Sequence, residues 1–461
     1  MATISQLLSD IENTSAEAVV TAALERAHAD MHNTFLGFTD ARALKRARAV
    51  DAGELKGQLA GVPFAVKDNF LTYGAPTTAA SKFLEKFESP LQATAVEKLE
   101  AEGAICIGKV NLDAFAHGGS TENSAYGPTK NAIDETRVSG GSSGGSAVAV
   151  ALDIVPFALG TDTGGSIRQP ASFNGVVGIK PTYGAVSRYG VVAMASGTDT
   201  IGVLTKTVED TELLMSVLSG RDTSDMTTLP DYFAPVDKPT GKKLGLIKEF
   251  MADGVDPEVR ASIEEAVEHY KRQGYTIEEV SMSMLKYALA IYYIVVPAEI
   301  SSNLARYDGI RYGSRVGNDG TLGDVYEQSR QAGFVAENKR RIIIGSYVLS
   351  SGFFDAYYQK AQKARTLLIR EFNELFEEYD ALIGPVAPNP AFKLGENTDD
   401  PVKMYLEDVM TIPASLAGLP AVSVPVGATA AGLPVGLQII GKRRSDANIL
   451  AVARDAEAAR G

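Results

Sequence analysis

The sequence of 461 residues contains no tryptophan, four histidines and a single cysteine. One cysteine cannot form a disulfide within the chain, and Cys106 lies in an apolar run where a buried thiol is more common than a nucleophile. The sequence has no run of about 18 apolar residues, and its beginning lacks a basic stretch followed by an apolar one. These absences predict a cytoplasmic protein that does not cross a membrane.

The chain also has fewer basic than acidic residues. The chain has 44 Lys and Arg against 57 Asp and Glu, which gives a formal net charge of −13. Such a protein repels polyanions, so it is a poor candidate for binding nucleic acid or an anionic membrane by itself. The apolar fraction of 45% and the charged fraction of 22% are those of an ordinary globular protein with a large core.

The composition along the chain predicts one α/β domain over residues 1–461. Residues 1–55 indicate two surface helices, and residues 58–205 are rich in glycine, serine and short β-type runs. Residues 205–350 are more helical. We expect the chemistry to lie in the glycine-rich part.

A strand-helix-strand unit follows this part. Leu244–Ile247 and Thr276–Val280 predict strands, and Asp256 and Pro257 begin the helix between them. Such a unit is typical of parallel pairing. A long helix at about 355–378 then precedes three more apolar strand-like runs. The predicted fold is therefore a large mixed, mostly parallel sheet covered by helices.

The segment 138–146, VSGGSSGGS, is followed by the helix-compatible run AVAVAL. A glycine-rich turn before a helix presents free N–H groups to an anion. A phosphate-binding loop is the alternative, but the required Gly-Lys-Ser/Thr ending is absent here and in GVVGIKPT. The glycines also lack the following acid of a dinucleotide fingerprint.

A second segment, TDTGGSIRQP at 161–170, turns on two glycines before a serine. Such a turn can direct successive N–H groups to one point, as an oxyanion hole requires. The alternative is a tight loop whose serine caps a helix. Asp162 and Arg168 flank the turn and could form a supporting ion pair. The candidates for the oxyanion hole are Thr163, Gly164, Gly165 and Ser166.

Histidine is the usual base for a serine nucleophile. Three of the four histidines lie in predicted surface helices, and they are His28, His32 and His269. His117 alone is near the glycine-rich region, so a Ser-His-Asp triad is poorly supported.

Lys67 is a second candidate for the base. It ends the apolar run GVPFAVK, and burial of a lysine lowers the pKa of its amine. The alternative is a surface lysine paired with Asp68. This segment alone does not decide between them.

Taken together, GVPFAVKDN, SGGSSGGSA and GTDTGGSIRQPAS resemble the motifs of the amidase signature family almost letter for letter. The resemblance implies a Ser-cisSer-Lys triad. In such a triad Ser166 attacks the amide carbon, Ser142 relays the proton after a cis peptide bond, and neutral Lys67 accepts the proton. Ser143 is the rival for the relay, although the motif favours Ser142.

Other segments, among them STENSAYGPTKN and PVGLQIIG, are similar to the amidase subunits of tRNA-dependent amidotransferases within this family. That resemblance implies a glutaminase that supplies ammonia for converting Glu-tRNA(Gln) to Gln-tRNA(Gln), Asp-tRNA(Asn) to Asn-tRNA(Asn), or both. It implies B-type and C-type partner subunits, misacylated tRNA bound through the complex, and no cofactor or metal in this chain, with ATP and Mg²⁺ on a partner. The alternatives are a free-standing amidase acting on small aryl or aliphatic amides, and a scaffold with a vestigial site.

The resemblance also implies how glutamine is held. Arg341 would bind the α-carboxylate, Asp408 the α-ammonium, and Tyr292 would lie nearby, with Tyr293 as its alternative. The competing interpretation is that Arg341 and Asp408 are ordinary surface charges. His117 departs from the family pattern, where an apolar residue is expected.

Overall fold

The computed structural model describes residues 3–230, 232–311, 313–317 and 320–458. Its strands belong to one sheet, in the order β1-β3-β2-β4-β6-β5-β10-β11-β9-β7-β8. In chain order they are β1 (Phe35–Phe38), β2 (Pro63–Lys67), β3 (Ile105–Val110), β4 (Phe157–Asp162), β5 (Val177–Lys180), β6 (Thr200–Thr205), β7 (Lys243–Ile247), β8 (Thr276–Val280), β9 (Ala381–Pro385), β10 (Ala421–Ala428) and β11 (Pro434–Gly441).

Helices cover this sheet. They are α1 (Ile4–Asn13), α2 (Ala16–His28), α3 (Asp40–Asp51), α4 (Thr94–Ala101), α5 (Gly144–Ala151), α6 (Arg168–Asn174), α7 (Val208–Leu218), α8 (Pro257–Arg272), α9 (Leu285–Leu304), α10 (Leu322–Gly333), α11 (Ala336–Val348), α12 (Lys360–Leu375), α13 (Pro401–Leu406), α14 (Ile412–Leu416) and α15 (Asp446–Glu457). A π-helix, Phe354–Gln359, leads into α12. None of the helices in the described ranges is long and apolar enough to cross a membrane.

The α/β class and the mixed sheet are confirmed, but the sheet is not mostly parallel. Among the described strands, six of the ten pairings are antiparallel and four are parallel. The apolar pattern could not reveal this, because strands buried on both faces are uniformly apolar whichever way they run. The antiparallel hairpin of β10 and β11 needs only a short turn, which is incompatible with parallel pairing.

The predicted strand-helix-strand unit is confirmed, since β7 and β8 pair in parallel and α8 connects them. The Asp256 side chain accepts hydrogen bonds from the N–H groups of Glu258 and Val259, as an N-cap does. The prediction of two helices in residues 1–55 is wrong in number. Three helices occur there, and Phe35–Phe38 forms an edge strand against β3.

The fold brings two strand ends to one place. β2 and β4 are parallel neighbours, so Lys67 at the end of β2 lies beside the end of β4. Every residue of both strands is buried. The chain leaves β4 into the turn that carries Ser166, while the loop before α5 carries Ser142. Residues distant in sequence therefore meet at the carboxyl edge of this part of the sheet.

Candidate active site

The amine of Lys67 is fully buried among hydroxyl groups. Its Nζ lies 2.8 Å from Oγ of Ser142, 2.8 Å from Oγ of Ser143 and 2.9 Å from Oγ1 of Thr161. Burial lowers the pKa of Lys67 to about 7, because the charged form loses its hydration. A large share of the amine is therefore neutral near neutral pH and able to accept a proton.

Distance alone does not separate Ser142 from Ser143, but their other contacts do. Ser143 donates its hydroxyl proton to the carbonyl of Thr161, at 3.1 Å, so it can only accept from Lys67. In the described chain the Ser142 hydroxyl has Lys67 as its hydrogen-bond partner, which leaves its proton free to move. This arrangement favours Ser142 as the relay.

The loop that carries Ser142 is fixed from several sides. The peptide bond between Gly141 and Ser142 is cis, as the resemblance implies. The N–H of Gly141 donates to Oε1 of Gln169 at 2.9 Å. A Cβ atom at Gly141 would lie 2.3 Å from Oδ2 of Asp113, so only glycine fits there.

Ser166 lies in the turn after β4 and is 8% exposed. Its carbonyl accepts a hydrogen bond of 3.1 Å from the N–H of Ser143, which holds this turn against the loop of Ser142. The structure thus brings the three residues of the implied triad into one buried neighbourhood.

The predicted oxyanion hole is available in part. Within the described residues, the N–H groups of Thr163, Gly164 and Ser166 donate to no other protein group. The N–H of Gly165 donates to Oδ1 of Asp162 at 2.8 Å, so it is not free to bind an oxyanion in this structure. The prediction therefore needs correction at Gly165, whose N–H instead braces the turn.

A buried ion pair supports this turn. Oδ1 and Oδ2 of Asp162 each lie 2.9 Å from a guanidinium nitrogen of Arg168, and neither side chain is exposed. Burial opposes ionisation, but the charge and hydrogen bonds of Arg168 outweigh it, so the pKa of Asp162 lies below its ordinary value. The supporting role expected of this pair agrees with these contacts.

Arg341 is buried on α11 and is held by its own helix. Its Nε donates to Oε1 of Glu337 at 2.8 Å, and its guanidinium lies over the rings of Tyr293 and Tyr405 at 5.4 and 5.7 Å. Among the described residues, the two terminal nitrogens make no hydrogen bond to protein. Two parallel donors remain for a carboxylate, which the surface-charge alternative does not explain.

Asp408 is also buried, and its Oδ1 has no hydrogen-bond partner in the described chain. Burial raises the pKa of this carboxyl well above its usual range, although nearby Arg341 opposes the shift. A buried carboxylate oxygen without a donor is costly, so this group is suited to a cationic or N–H ligand.

Tyr292 and Tyr293 have different surroundings. A Cβ atom at Gly164 would lie 2.6 Å from Oη of Tyr292, which places this hydroxyl against the serine turn. Tyr293 instead stacks on Tyr405, with ring centroids 3.9 Å apart, and lies beside Arg341. The geometry favours Tyr292 as the substrate contact and Tyr293 as support for the arginine.

Two cavities open on this region. One of about 210 Å³ is lined by Thr161 and Asp199 beside the lysine, and extends to Arg188. The other, of about 90 Å³, is lined by Arg341 and Tyr405. In the described ranges no group of three or more His, Cys, Asp or Glu side chains is arranged to hold a metal ion.

Sequence reasoning missed several residues that shape the site. Asp199 accepts from the hydroxyl of Thr163 at 2.7 Å, and Thr411 donates to the carbonyl of Gly164 at 2.6 Å. They lie 36 and 247 residues from their partners, so no local pattern indicated them. Glu337 could have been found, because it stands four residues before Arg341, a spacing that pairs side chains when the segment is helical, as it is in α11.

Known proteins of similar sequence and architecture support a common origin. Residues 18–450 match the family described as Amidase. The A-type subunit of glutamyl-tRNA(Gln) amidotransferase from Koribacter versatilis (strain Ellin345) is 51% identical over 434 residues, covering 92% of this chain and 90% of that protein. The protein of the same name from Exiguobacterium sp. (strain ATCC BAA-1283 / AT1b) is 55% identical over 408 residues and covers 87% and 85%.

Solved structures of amidase-family proteins are also similar to this chain. The crystal structure of the A-type subunit of glutamyl-tRNA(Gln) amidotransferase from Thermotoga maritima is 45% identical, with a TM-score of 0.76 over 87% of this chain and 84% of that one. A bacterial aryl acylamidase of the amidase signature family is 25% identical, with a TM-score of 0.87 over 99% and 96%. From the matched motifs, their geometry and these similarities, the chain belongs to the amidase signature family.

Proposed function

We propose that this chain hydrolyses glutamine through an ester on Ser166 and supplies ammonia within a tRNA-dependent amidotransferase. The ammonia would convert Glu-tRNA(Gln) to Gln-tRNA(Gln), Asp-tRNA(Asn) to Asn-tRNA(Asn), or both. The observation that carries the proposal is a pair of buried groups near the serine turn with polar atoms left unpartnered among the described residues. They are the terminal guanidinium nitrogens of Arg341, whose Nε is bonded to Glu337, and Oδ1 of Asp408. A free amino acid has one carboxylate and one ammonium to match them, whereas an aryl or aliphatic amide has neither.

The chemistry follows from the contacts of Lys67. Ser166 Oγ attacks the γ-carboxamide carbon, and its proton passes through Ser142 to the neutral amine of Lys67. The N–H groups at residues 163, 164 and 166 stabilise the oxyanion. The C–N bond then breaks, the relay returns the proton to the departing nitrogen, and ammonia leaves a γ-glutamyl ester. Water, deprotonated through the same relay, attacks the ester and releases glutamate and Ser166.

Partner subunits complete the reaction. The relatives are named as one lettered component of an amidotransferase, which implies other subunits. The acidic net charge of −13 supports tRNA binding mainly by the B-type and C-type partners, and ATP with Mg²⁺ would also be bound there. We place this assembly in the cytoplasm, where aminoacylated tRNA is found.

The direct test is ammonia release from glutamine by the complex isolated through a tag on this chain. Ser166→Ala should abolish release in both the presence and the absence of misacylated tRNA and ATP. Ser172→Ala is the matched control, since Ser172 is another buried serine in the same segment whose Oγ accepts from the N–H of Gly436 at 2.9 Å. Ammonia release that survives Ser166→Ala would refute the proposal.

Substrate choice distinguishes the free-standing amidase. That alternative predicts turnover of simple aryl or aliphatic amides with glutamine ignored, and no dependence on co-purifying subunits. The vestigial scaffold predicts no turnover and no covalent labelling of Ser166 by a glutamine-like electrophile.

A further inference from the structure

His117 is a buried polar residue that the mechanism above does not use. It has no exposed surface. Its Nδ1 is hydrogen-bonded to Nδ2 of Asn338, and that same nitrogen donates to the carbonyl of Ala114 at 2.8 Å. Because the Asn338 amide is the donor, Nδ1 of His117 must accept, and the imidazole proton is therefore on Nε2.

The Nε2–H of His117 has no acceptor among the described residues. Burial, together with the nearby positive charge of Arg341, lowers the pKa of His117 well below its ordinary value, so the ring stays neutral. A buried N–H donor without a partner is unfavourable unless a ligand supplies the acceptor.

The position of His117 suggests which ligand that is. Ala116, the preceding residue, lines the cavity that reaches Thr161, and Gly118, the following residue, lines the cavity that contains Arg341. His117 thus lies between the lysine side and the arginine side of the candidate site. Its partner Asn338 stands one helical turn before Arg341 on α11.

We infer that His117 donates its Nε2–H to the α-carboxylate of the substrate, as a second donor beside Arg341. This inference rests on the proposed function and adds to it a specificity-determining residue. A neutral N–H can satisfy a carboxylate oxygen that a guanidinium also binds, without adding a second buried charge. An apolar side chain at this position would fill the same space but would donate nothing.

The test compares two substrates that differ only in this carboxylate, glutamine and 4-aminobutanamide. His117→Met should lower kcat/KM for glutamine about 10-fold or more, mainly through KM, because it removes a hydrogen bond to a charged group. The same variant should change kcat/KM for 4-aminobutanamide less than about 2-fold, since that amide has no carboxylate to lose. His117→Gln, which keeps an N–H donor, should recover part of the loss.

Binding provides a readout that does not need turnover. In the Ser166→Ala background, calorimetry should show His117→Met weakening glutamine binding by a similar factor and sparing 4-aminobutanamide. His117→Leu replaces His117→Met if the latter does not fold. Equal effects on both ligands, or no effect on either, would overturn the inference and assign His117 a purely structural role. Failure of the proposed function would appear differently, as an unsubstituted complex that does not turn over glutamine.

Discussion

The pH dependence of the reaction tests the role of Lys67 most directly. An amine with its ordinary pKa of 10.5 would be neutral in only about one molecule in a thousand at pH 7.5. With the pKa lowered to about 7 by burial, about three quarters of the molecules carry the neutral base at that pH. Burial therefore increases the neutral fraction of the amine by almost three orders of magnitude.

The expected profile follows from the sign of this shift. Since the proposed mechanism uses the neutral amine, kcat/KM for glutamine should rise about tenfold per pH unit below pH 7 and level off above it. Lys67→Arg should be inactive at every pH tested, because a guanidinium does not lose its proton. Steady-state kinetics between pH 5.5 and 9, a range chosen around the pKa of about 7, provide the measurement.

Lys180 offers a matched control. It is a second buried lysine whose pKa burial lowers to about 7, but its Nζ donates to the carbonyl of Pro181 at 3.0 Å and not to the serine hydroxyls. Lys180→Met should keep the midpoint of the profile near pH 7, whatever its effect on stability. A flat profile in the unsubstituted protein, or a rise only above pH 9, would refute the assignment of Lys67 as the base.

The same shift predicts an effect on stability. The folded state holds Lys67 at a pKa below its unfolded value, so burial of the charged amine destabilises the fold most below pH 7, and this cost disappears above pH 10.5. The full shift corresponds to about 5 kcal/mol, offset by hydrogen bonds of about 1 kcal/mol each to three hydroxyls. Lys67→Met should therefore raise the free energy of unfolding by about 2 kcal/mol at pH 6. At pH 9 it should lower it by about 1 kcal/mol, because the remaining cost of about 2 kcal/mol is then smaller than the contribution of the hydrogen bonds.

Three further substitutions test other parts of the site. Ser142→Ala should lower kcat about 10³-fold, whereas Ser143→Ala should lower it less than about 10-fold, because only the first removes the proposed proton relay. Equal losses would contradict this distinction, and a larger loss in Ser143→Ala would favour Ser143. Asp408→Asn should raise KM for glutamine about 10- to 100-fold in steady-state assays, because the α-ammonium of glutamine loses its hydrogen bond to a charged carboxylate. An unchanged KM would exclude this contact. Asp162→Asn should lower the free energy of unfolding by about 3 kcal/mol or more, because it leaves Arg168 buried with a neutral partner. Denaturant titration measures this change, and a value below about 1 kcal/mol would contradict the supporting role.

Local sequence determined the elements and the chemical groups. The N-cap at Asp256, the alternation of strands and helices around it, and the glycine-rich turns all follow from short-range physical preferences, so they could be predicted within a few residues. Ser166, Ser142 and Lys67 could be singled out as the predicted nucleophile, relay and base because three motifs occur together. The cis bond before Ser142 was expected only from the resemblance, since local energetics favour a trans bond.

Only the tertiary structure determined the direction of strand pairing and the burial of the charged side chains. The sequence of a uniformly apolar strand does not show whether the strand pairs in parallel or antiparallel. The antiparallel majority of the pairings therefore depends on which strands become neighbours in the sheet. The N–H of Gly165 points to Oδ1 of Asp162 and not toward the predicted oxyanion hole, and no spacing in the sequence encodes this orientation. Burial lowers the pKa of Lys67, and in the described part of the chain it leaves Oδ1 of Asp408 without a donor. It is a property of the surrounding fold and not of either residue's neighbours in sequence.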